Sequence, residues 1–336
     1  MKKCNHFIGA DISKQTVDIC LVDANDINNS IFRIKVPNSK TGVATLTKQL
    51  KRHKIEPDGL LICLEFTGLY SRCFALNLLK YNYNVWLEMP YKIKHSIGLQ
   101  REKTDKADAK VIAHYACRFS DKAKLLTIEE QKFENLQDLM KQRERLLQGK
   151  LSLIKAVQEM RNMDLKEQAM MLEKSNKVAV RGFEKAIEII EDQIDEYVNV
   201  NPEIQKQAQI LQSIPAVGKI TSLTFIAMTR GFTRVQNSKS LACYCGVAPF
   251  AKQSGTSIKG KAKVSLMANR KLKTSLHMCA MRSVRMEGHF KEYYYRKVEE
   301  GKNKMLVLNA IRNKIATRMY ALIKEDRFYQ ECLVLS

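Results

Sequence analysis

The chain has 336 residues, 45% of them hydrophobic and 7% aromatic, with a formal net charge of +22. That length exceeds one core and predicts two or three units, and the charge predicts a polyanionic partner rather than an acidic membrane surface. No apolar run reaches the roughly 18 residues of a membrane span, and nine cysteines without a CxxC exclude a disulfide framework and a zinc ribbon, fitting reduced thiols of a cytosolic protein.

The basic start "MKKCNHFIGADIS" is interrupted by Asp11 and is not expected to be a signal peptide. "HFIGADIS" and "VDICLVD" are short and β-branched, and "IFRIKVP" follows the turn-like "ANDINNS". They predict three strands, the first two antiparallel. A helix is expected over 40–53, a buried strand in "GLLICLEFTG", a helix over 69–82, a strand in "NVWLEMP" and a helix over 103–117. The order β-β-β-α-β-α-β-α is that of an RNase H-like sheet.

Four carboxylates stand out in this segment. Asp11 lies in the first strand and Glu65 near the end of the fourth, neighbours in such a sheet. Asp105 and Asp108 are three apart on one helix face, about 5–6 Å from each other. That spread suits a pair of Mg²⁺ ions about 3.5–4 Å apart, hard cations that take oxygen ligands. Arg101, Lys103, Lys106 and Lys110 around them would neutralise a phosphate backbone. Singly, each carboxylate also reads as a helix cap, a strand end or a surface ion-pair partner. Together they occupy the positions a metal nuclease of this fold needs. Asp18, Asp23 and Glu102 are read as solvated.

Residues 127–200 contain no proline, and Leu139, Leu146, Leu153 and Met160 recur every seven residues. Phe183, Ile187, Ile190, Ile194 and Tyr197 step by four and three. Two long pairing helices fit this pattern. Arg143 and Lys150 fall within the seam, which favours a helical hairpin or arm over an uninterrupted coiled coil. The arm serves oligomerisation or is a spacer.

From Pro202 the chain holds 24 Lys and Arg against 8 Asp and Glu. "LQSIPAVGKITS" is a helix-hairpin-helix-like element, with Pro215 and Gly218 in the turn and the amides around Gly218 and Lys219 facing a phosphate; a plain packing corner reads the same. "YCGVAPFAKQSGTSIKGKAKVS" is expected to be a loop or loose hairpin. Within it Ser254 precedes Gly255 among Lys252, Lys259, Lys261 and Lys263, with Arg270 just beyond. A serine there is a nucleophile if a base takes its proton and positive charge steadies the transition state. A basic loop that only touches DNA has the same composition, and Ser257 is equally plausible. The remainder is helical.

"FIGADISK", "LEFTG", "KTDKADAK" and "SIPAVGKITS…YCGVAPFAKQSG", in this order over nearly the whole chain, resemble the IS110 (IS one-ten) family of insertion-sequence transposases, relatives of the pilin-gene invertases. The resemblance implies a RuvC-like metal domain over 1–120, a helical, coiled-coil-like dimerisation arm over 121–201 and a mostly helical serine transposase domain over 202–336. It implies Asp11, Glu65, Asp105 and Asp108 as a DEDD tetrad for Mg²⁺, two ions with Mn²⁺ able to substitute. It implies Ser254 as the nucleophile that forms a 5′-phosphoserine link. It further implies donor and target DNA as substrates, a structured non-coding bridge RNA as guide, assembly as a dimer or tetramer, and residence in the bacterial cytoplasm at the nucleoid. Ala216 stands where the family commonly has glycine, and Met267 and Ala268 where a basic residue and a glycine are expected. A RuvC-type junction nuclease without a covalent serine step, or a non-catalytic nucleic-acid scaffold, are the other readings of the same residues.

Overall fold

The computed structural model describes residues 4–96, 105–248, 250–254, 258–263 and 268–330, with the backbone alone at 105–107, 130, 250–254 and 258–263. It divides into two compact units, Met1–Glu130 and Gln131–Ser336.

The first unit opens with a meander. β1 (His6–Ile12), β2 (Thr16–Asp23) and β3 (Ser30–Pro37) pair antiparallel. α1 (Lys40–Arg52) starts at Ser39, whose side chain accepts from the Gly42 amide and satisfies an otherwise orphaned donor. β4 (Leu60–Glu65) then lies parallel to β1, and its unbroken apolar run is what a strand covered on both faces requires. α2 (Leu69–Leu79) leads to β5 (Asn84–Glu88), parallel to β4, followed by α3 (Pro90–Ser96) and α4 (Asp105–Arg118). The strand order β3-β2-β1-β4-β5 is the RNase H-like order expected. One face buries Ile8, Ile62 and Leu64 with Leu46 of α1 and Phe74 of α2. The other buries Phe7, Cys63 and Trp86 under Ile112, Ala113 and Ala116 of α4.

The second unit begins with a helical hairpin, α5 (Gln131–Asn162) and α6 (Lys166–Asn199). α7 (Pro202–Gln212), α8 (Lys219–Thr229) and α9 (Ser238–Tyr244) follow, then the antiparallel ribbon of β6 (Phe250–Ser254) and β7 (Ile258–Lys263). α10 (Arg270–Ser283), α11 (His289–Glu299) and α12 (Lys304–Lys324) complete it. Phe133, Leu136, Met140, Ile190 and Ile194 from the base of the hairpin share one core with α7 to α12. The middle and last segments of the sequence therefore form one unit, because the base of the arm supplies part of the core beneath the C-terminal helices. Arg143 pairs with Glu191 at 2.6 Å and Lys150 with Glu184 at 2.7 Å, which accounts for cations inside the apolar seam. Among the described residues no helix is long and apolar enough to cross a membrane.

Candidate functional site

The sheet register carries the site. Successive side chains in a strand alternate between faces, and paired residues share a face. Asp11 pairs with Asp18, and Asp18 in turn with Lys35. On the other side Ala10 pairs with Leu64, so the residues that follow, Asp11 and Glu65, emerge next to each other; Glu65 pairs with Glu88. A row Lys35–Asp18–Asp11–Glu65–Glu88 thus crosses all five strands on the face that α4 covers.

α4 reaches that face because of a glycine. A Cβ built on Gly9 would lie 2.1 Å from the Ala109 carbonyl oxygen and 2.2 Å from the Ala113 amide nitrogen. Only a residue without a side chain lets the helix backbone rest directly on β1. Asp108 precedes this contact by one residue and Asp105 opens the helix, so both fall over the strand that carries Asp11 two residues beyond Gly9. The carboxyl of Glu65 has its pKa raised, first by burial, while Lys94 lowers it and the charge of Asp108 raises it. Asp108 and Glu65, 43 positions apart in sequence, are therefore electrostatic neighbours. The side chain of Asp105 lies outside the described residues. Among the described residues no three His, Cys, Asp or Glu stand close enough to hold one ion. The donor set is all oxygen, and the charge of Asp108 helps raise the proton affinity of Glu65, which fits a hard divalent cation.

The row also corrects the expectation for Asp18. It is 8% exposed, not solvated, and its carboxylate meets the Lys35 ammonium at 3.0 Å. Asp23 meets His6 at 3.4 Å, and Glu102 lies outside the described residues. Glu88, which sequence reasoning passed over, is 5% exposed. Its carboxylate accepts from the Met89 amide at 2.8 Å and the Tyr115 hydroxyl at 3.1 Å, and pairs with Lys92 at 3.0 Å. Tyr115 stands two helical turns beyond Asp108, so Glu88 ties α4 to β5. The only local signal for this was an acidic residue closing a strand.

The expected basic contacts divide. Lys110 donates to the Asn28 carbonyl at 2.6 Å. Lys103 lies outside the described residues, and of Lys106 only the backbone, in α4, is described. Lys219, first in α8, pairs with Asp195, both about half exposed. Gly218 caps α8, and a Cβ there would meet nothing within 4 Å, so the helix N-terminus is open. Ala216 in the preceding turn has φ +70°. Arg270 is exposed in the first turn of α10.

Ser254 is the last residue of β6 and pairs with Ile258 across the ribbon; Gly255 and Ser257 lie outside the described residues. Lys252 pairs with Gly260 and Lys259 with Gln253. Strand alternation therefore puts positions 252 and 254 on one face and 259 on the other. The lysines around Ser254 in sequence do not all share its face.

Two family models match the chain. One, described as a transposase and built for the DEDD proteins of IS110 elements, covers residues 8–161. The other, "Transposase IS116/IS110/IS902 family", covers residues 208–295. The pilin gene-inverting protein of Moraxella lacunata is 29% identical over 325 residues, 96% of each chain. The 43.6 kDa protein of insertion element IS110 from Streptomyces coelicolor is 26% identical over 137 residues, 41% of this chain and 34% of that one. A solved T. thermophilus RuvC, in complex with Holliday junction substrate, is 14% identical with a TM-score of 0.28, covering 36% of this chain and 99% of that one. The strand order and pairing, not that match, assign the fold.

Proposed function

The chain belongs to the IS110 family of insertion-sequence transposases, and from this we propose that it recombines DNA with a metal-binding carboxylate tetrad and a serine nucleophile, under the guidance of a structured RNA. The observation that supports it most is the influence of Asp108 on the carboxyl of Glu65. In this reading the two acids, from separate elements, meet at the rim of the sheet beside Asp11.

In this reading Asp11, Glu65, Asp105 and Asp108 hold one or two Mg²⁺ ions, with Mn²⁺ as a substitute. Bound there, the ions would supply Lewis-acid stabilisation of charge on a phosphodiester. Ser254, at the tip of the ribbon, attacks the strand phosphorus; the serine O–P bond forms, the bond to the 3′ oxygen breaks, and the 5′ phosphate stays on the protein. Lys252 on the same face of the ribbon offers positive charge to that phosphate. The basic excess of 24 over 8 in residues 202–336 holds backbone. Donor and target are chosen by base pairing with the guide RNA. Residues 1–120 act as the metal domain, 121–201 as the oligomerising arm and 202–336 as the serine domain, with the α5–α6 hairpin building a dimer or tetramer.

The test is to incubate the protein with donor and target DNA, Mg²⁺ and RNA transcribed from the element's flanks, then denature. A covalent protein–DNA adduct is expected, lost in Ser254→Ala and in Asp11→Ala. An adduct that survives Ser254→Ala but not Ser257→Ala moves the nucleophile. Strand cleavage without any adduct would establish a junction nuclease instead, and recombination unaffected by omitting the RNA would remove the guide.

A further inference from the structure

α12 contains a buried cation that has no counter-ion among the described residues. Arg312 is 6% exposed, and its Nε is sealed from solvent with no hydrogen-bond partner. Among the described residues no carboxylate pairs with it, and burial alone lowers its pKa. The same unit treats another enclosed guanidinium differently: Arg230 pairs with the largely buried carboxylate of Glu134. A buried charge left unpaired costs several kcal/mol, about 3–5 in mutational experience, so a fold keeps one where a partner arrives from outside.

A second unsatisfied group stands beside it. His277 of α10 has its Nδ1 buried without a partner. α10 packs against α12 in the core of this unit, and burial and then the charge of Arg312 lower the pKa of the ring, favouring its neutral form. A neutral imidazole with a free nitrogen offers one N–H donor in the right tautomer, and an arginine offers a planar fork. Together they match a tetrahedral oxyanion and repel cations.

The surroundings place this pair at the root of the β6–β7 ribbon. Asn309, one turn before Arg312, donates to the Val247 carbonyl at 3.0 Å, three residues ahead of β6. The Asn269 amide, at the cap of α10, donates to the Tyr244 carbonyl at 2.8 Å. The helices bearing Arg312 and His277 are thus the frame from which the Ser254 ribbon springs.

We propose that Arg312 and His277 form a phosphate-binding site, taking one backbone phosphate of the nucleic acid strand that the ribbon handles. The choice of a strand phosphate rests on the proposed function; the binding of phosphate itself does not.

The full-length protein is unfolded thermally in potassium chloride, then in inorganic phosphate at equal ionic strength. At about 100 times its Kd, phosphate lowers the unfolding constant of the parent about 100-fold. Arg312→Met loses that response and is more stable than the parent in chloride, because it removes an unpaired buried charge. His277→Leu, which keeps the arginine, weakens the response. Ser254→Ala keeps it in full, so failure of the serine reading is distinguishable from failure of this site. With a defined single-stranded oligonucleotide, Arg312→Met binds about tenfold more weakly and its log–log salt slope shrinks by about 0.7. An equal phosphate response in parent and Arg312→Met overturns the site. So does a loss of stability or folding in chloride on that substitution, which would reveal a protein partner. A lost phosphate response with unchanged oligonucleotide binding and salt slope overturns the strand assignment in favour of a free anion.

Discussion

A Cβ on Gly9 would come within 2.1 Å of the Ala109 carbonyl oxygen, so strand β1 and helix α4 touch backbone to backbone. That contact sets the height of the helix that carries Asp105 and Asp108 above the strand that carries Asp11. Gly9→Ala is expected to push α4 off the sheet. Overpacking of a rigid backbone contact costs about 3 kcal/mol, readable as a lower urea midpoint with an unchanged slope. DNA cleavage should fall further than stability does, because the carboxylates separate even in molecules that fold. A variant with parental stability and cleavage would mean that the helix is not seated by this contact.

Glu65 yields a pH signature with a definite sign. Its folded-state pKa is raised, by burial first, with Lys94 opposing and Asp108 reinforcing the shift. Above about pH 4.3 the folded chain binds more protons at this site than the unfolded chain does. Stability contributed here is full below that value and is lost as pH rises through the raised one. Asp108→Asn removes the like charge, so the decline flattens and the variant is the more stable protein in a chelating buffer at pH 7. Added Mg²⁺ should stabilise the parent and do less for the variant. Thermal melts from pH 4 to 8, with and without Mg²⁺, read both effects; identical profiles for the two proteins would separate the carboxylates.

Tyr115 fastens the same helix at its other end. Burial and the charge of Glu88 push its phenol pKa up, so the hydroxyl is a neutral donor to a carboxylate. Tyr115→Phe removes a hydrogen bond to a charged acceptor and should cost about 2 kcal/mol. Lys92, largely exposed, remains to balance Glu88, so the variant folds. Cleavage should decline modestly with binding of DNA intact; a stability change near zero by chemical denaturation would refute the tether.

Much of the first unit could be read from one strand at a time. β-branched runs bounded by polar turns gave β1 to β5 in the right order, and Glu65 closes β4 as "LLICLE" predicts. What a linear reading misses is register. Asp18 alternates properly for a solvated face, and only its pairing with Asp11 and Lys35 shows that α4 covers it. Glu88 likewise gains meaning from Glu65 beside it and Tyr115 across from it. In the arm, Arg143 and Lys150 disturb the apolar pattern until Glu191 and Glu184 face them from α6. Arg312 sits in an ordinary helical run, and its lack of a hydrogen-bond partner at Nε among the described residues follows from how the helices pack, not from "NAIRNK".

Ala216 offers a gain of stability. Its φ of +70° lies in the left-handed region, which costs an L-residue with a Cβ roughly 1–2 kcal/mol. Ala216→Gly relieves the clash and gives back part of the benefit in unfolded-chain entropy. The net expectation is a stabilisation of about 1 kcal/mol, seen as a higher urea midpoint. Destabilisation would mean that the methyl group packs more favourably than the turn is strained.

In the proposed reading the hairpin of α5 and α6 separates folding from assembly. Its base is bound into the core through Leu136, Met140, Ile190 and Ile194. Farther along, Gly149 admits the Phe183 ring, with a built Cβ only 2.7 Å from it, so the helices stay tightly paired. Beyond that point apolar side chains face solvent, Met163 and Met171 at 74% exposure and Val178 at 79%. Flexible apolar side chains at a helical tip gain little within one chain and gain more when a second surface removes them from water. Replacing 148–184 by a short turn keeps every core residue named above and the Arg143–Glu191 pair. The shortened protein should keep its helical circular dichroism and cooperative melting, yet show a smaller mass by light scattering than the full chain. If both proteins assemble to the same number of subunits, contacts outside the distal arm must hold the oligomer.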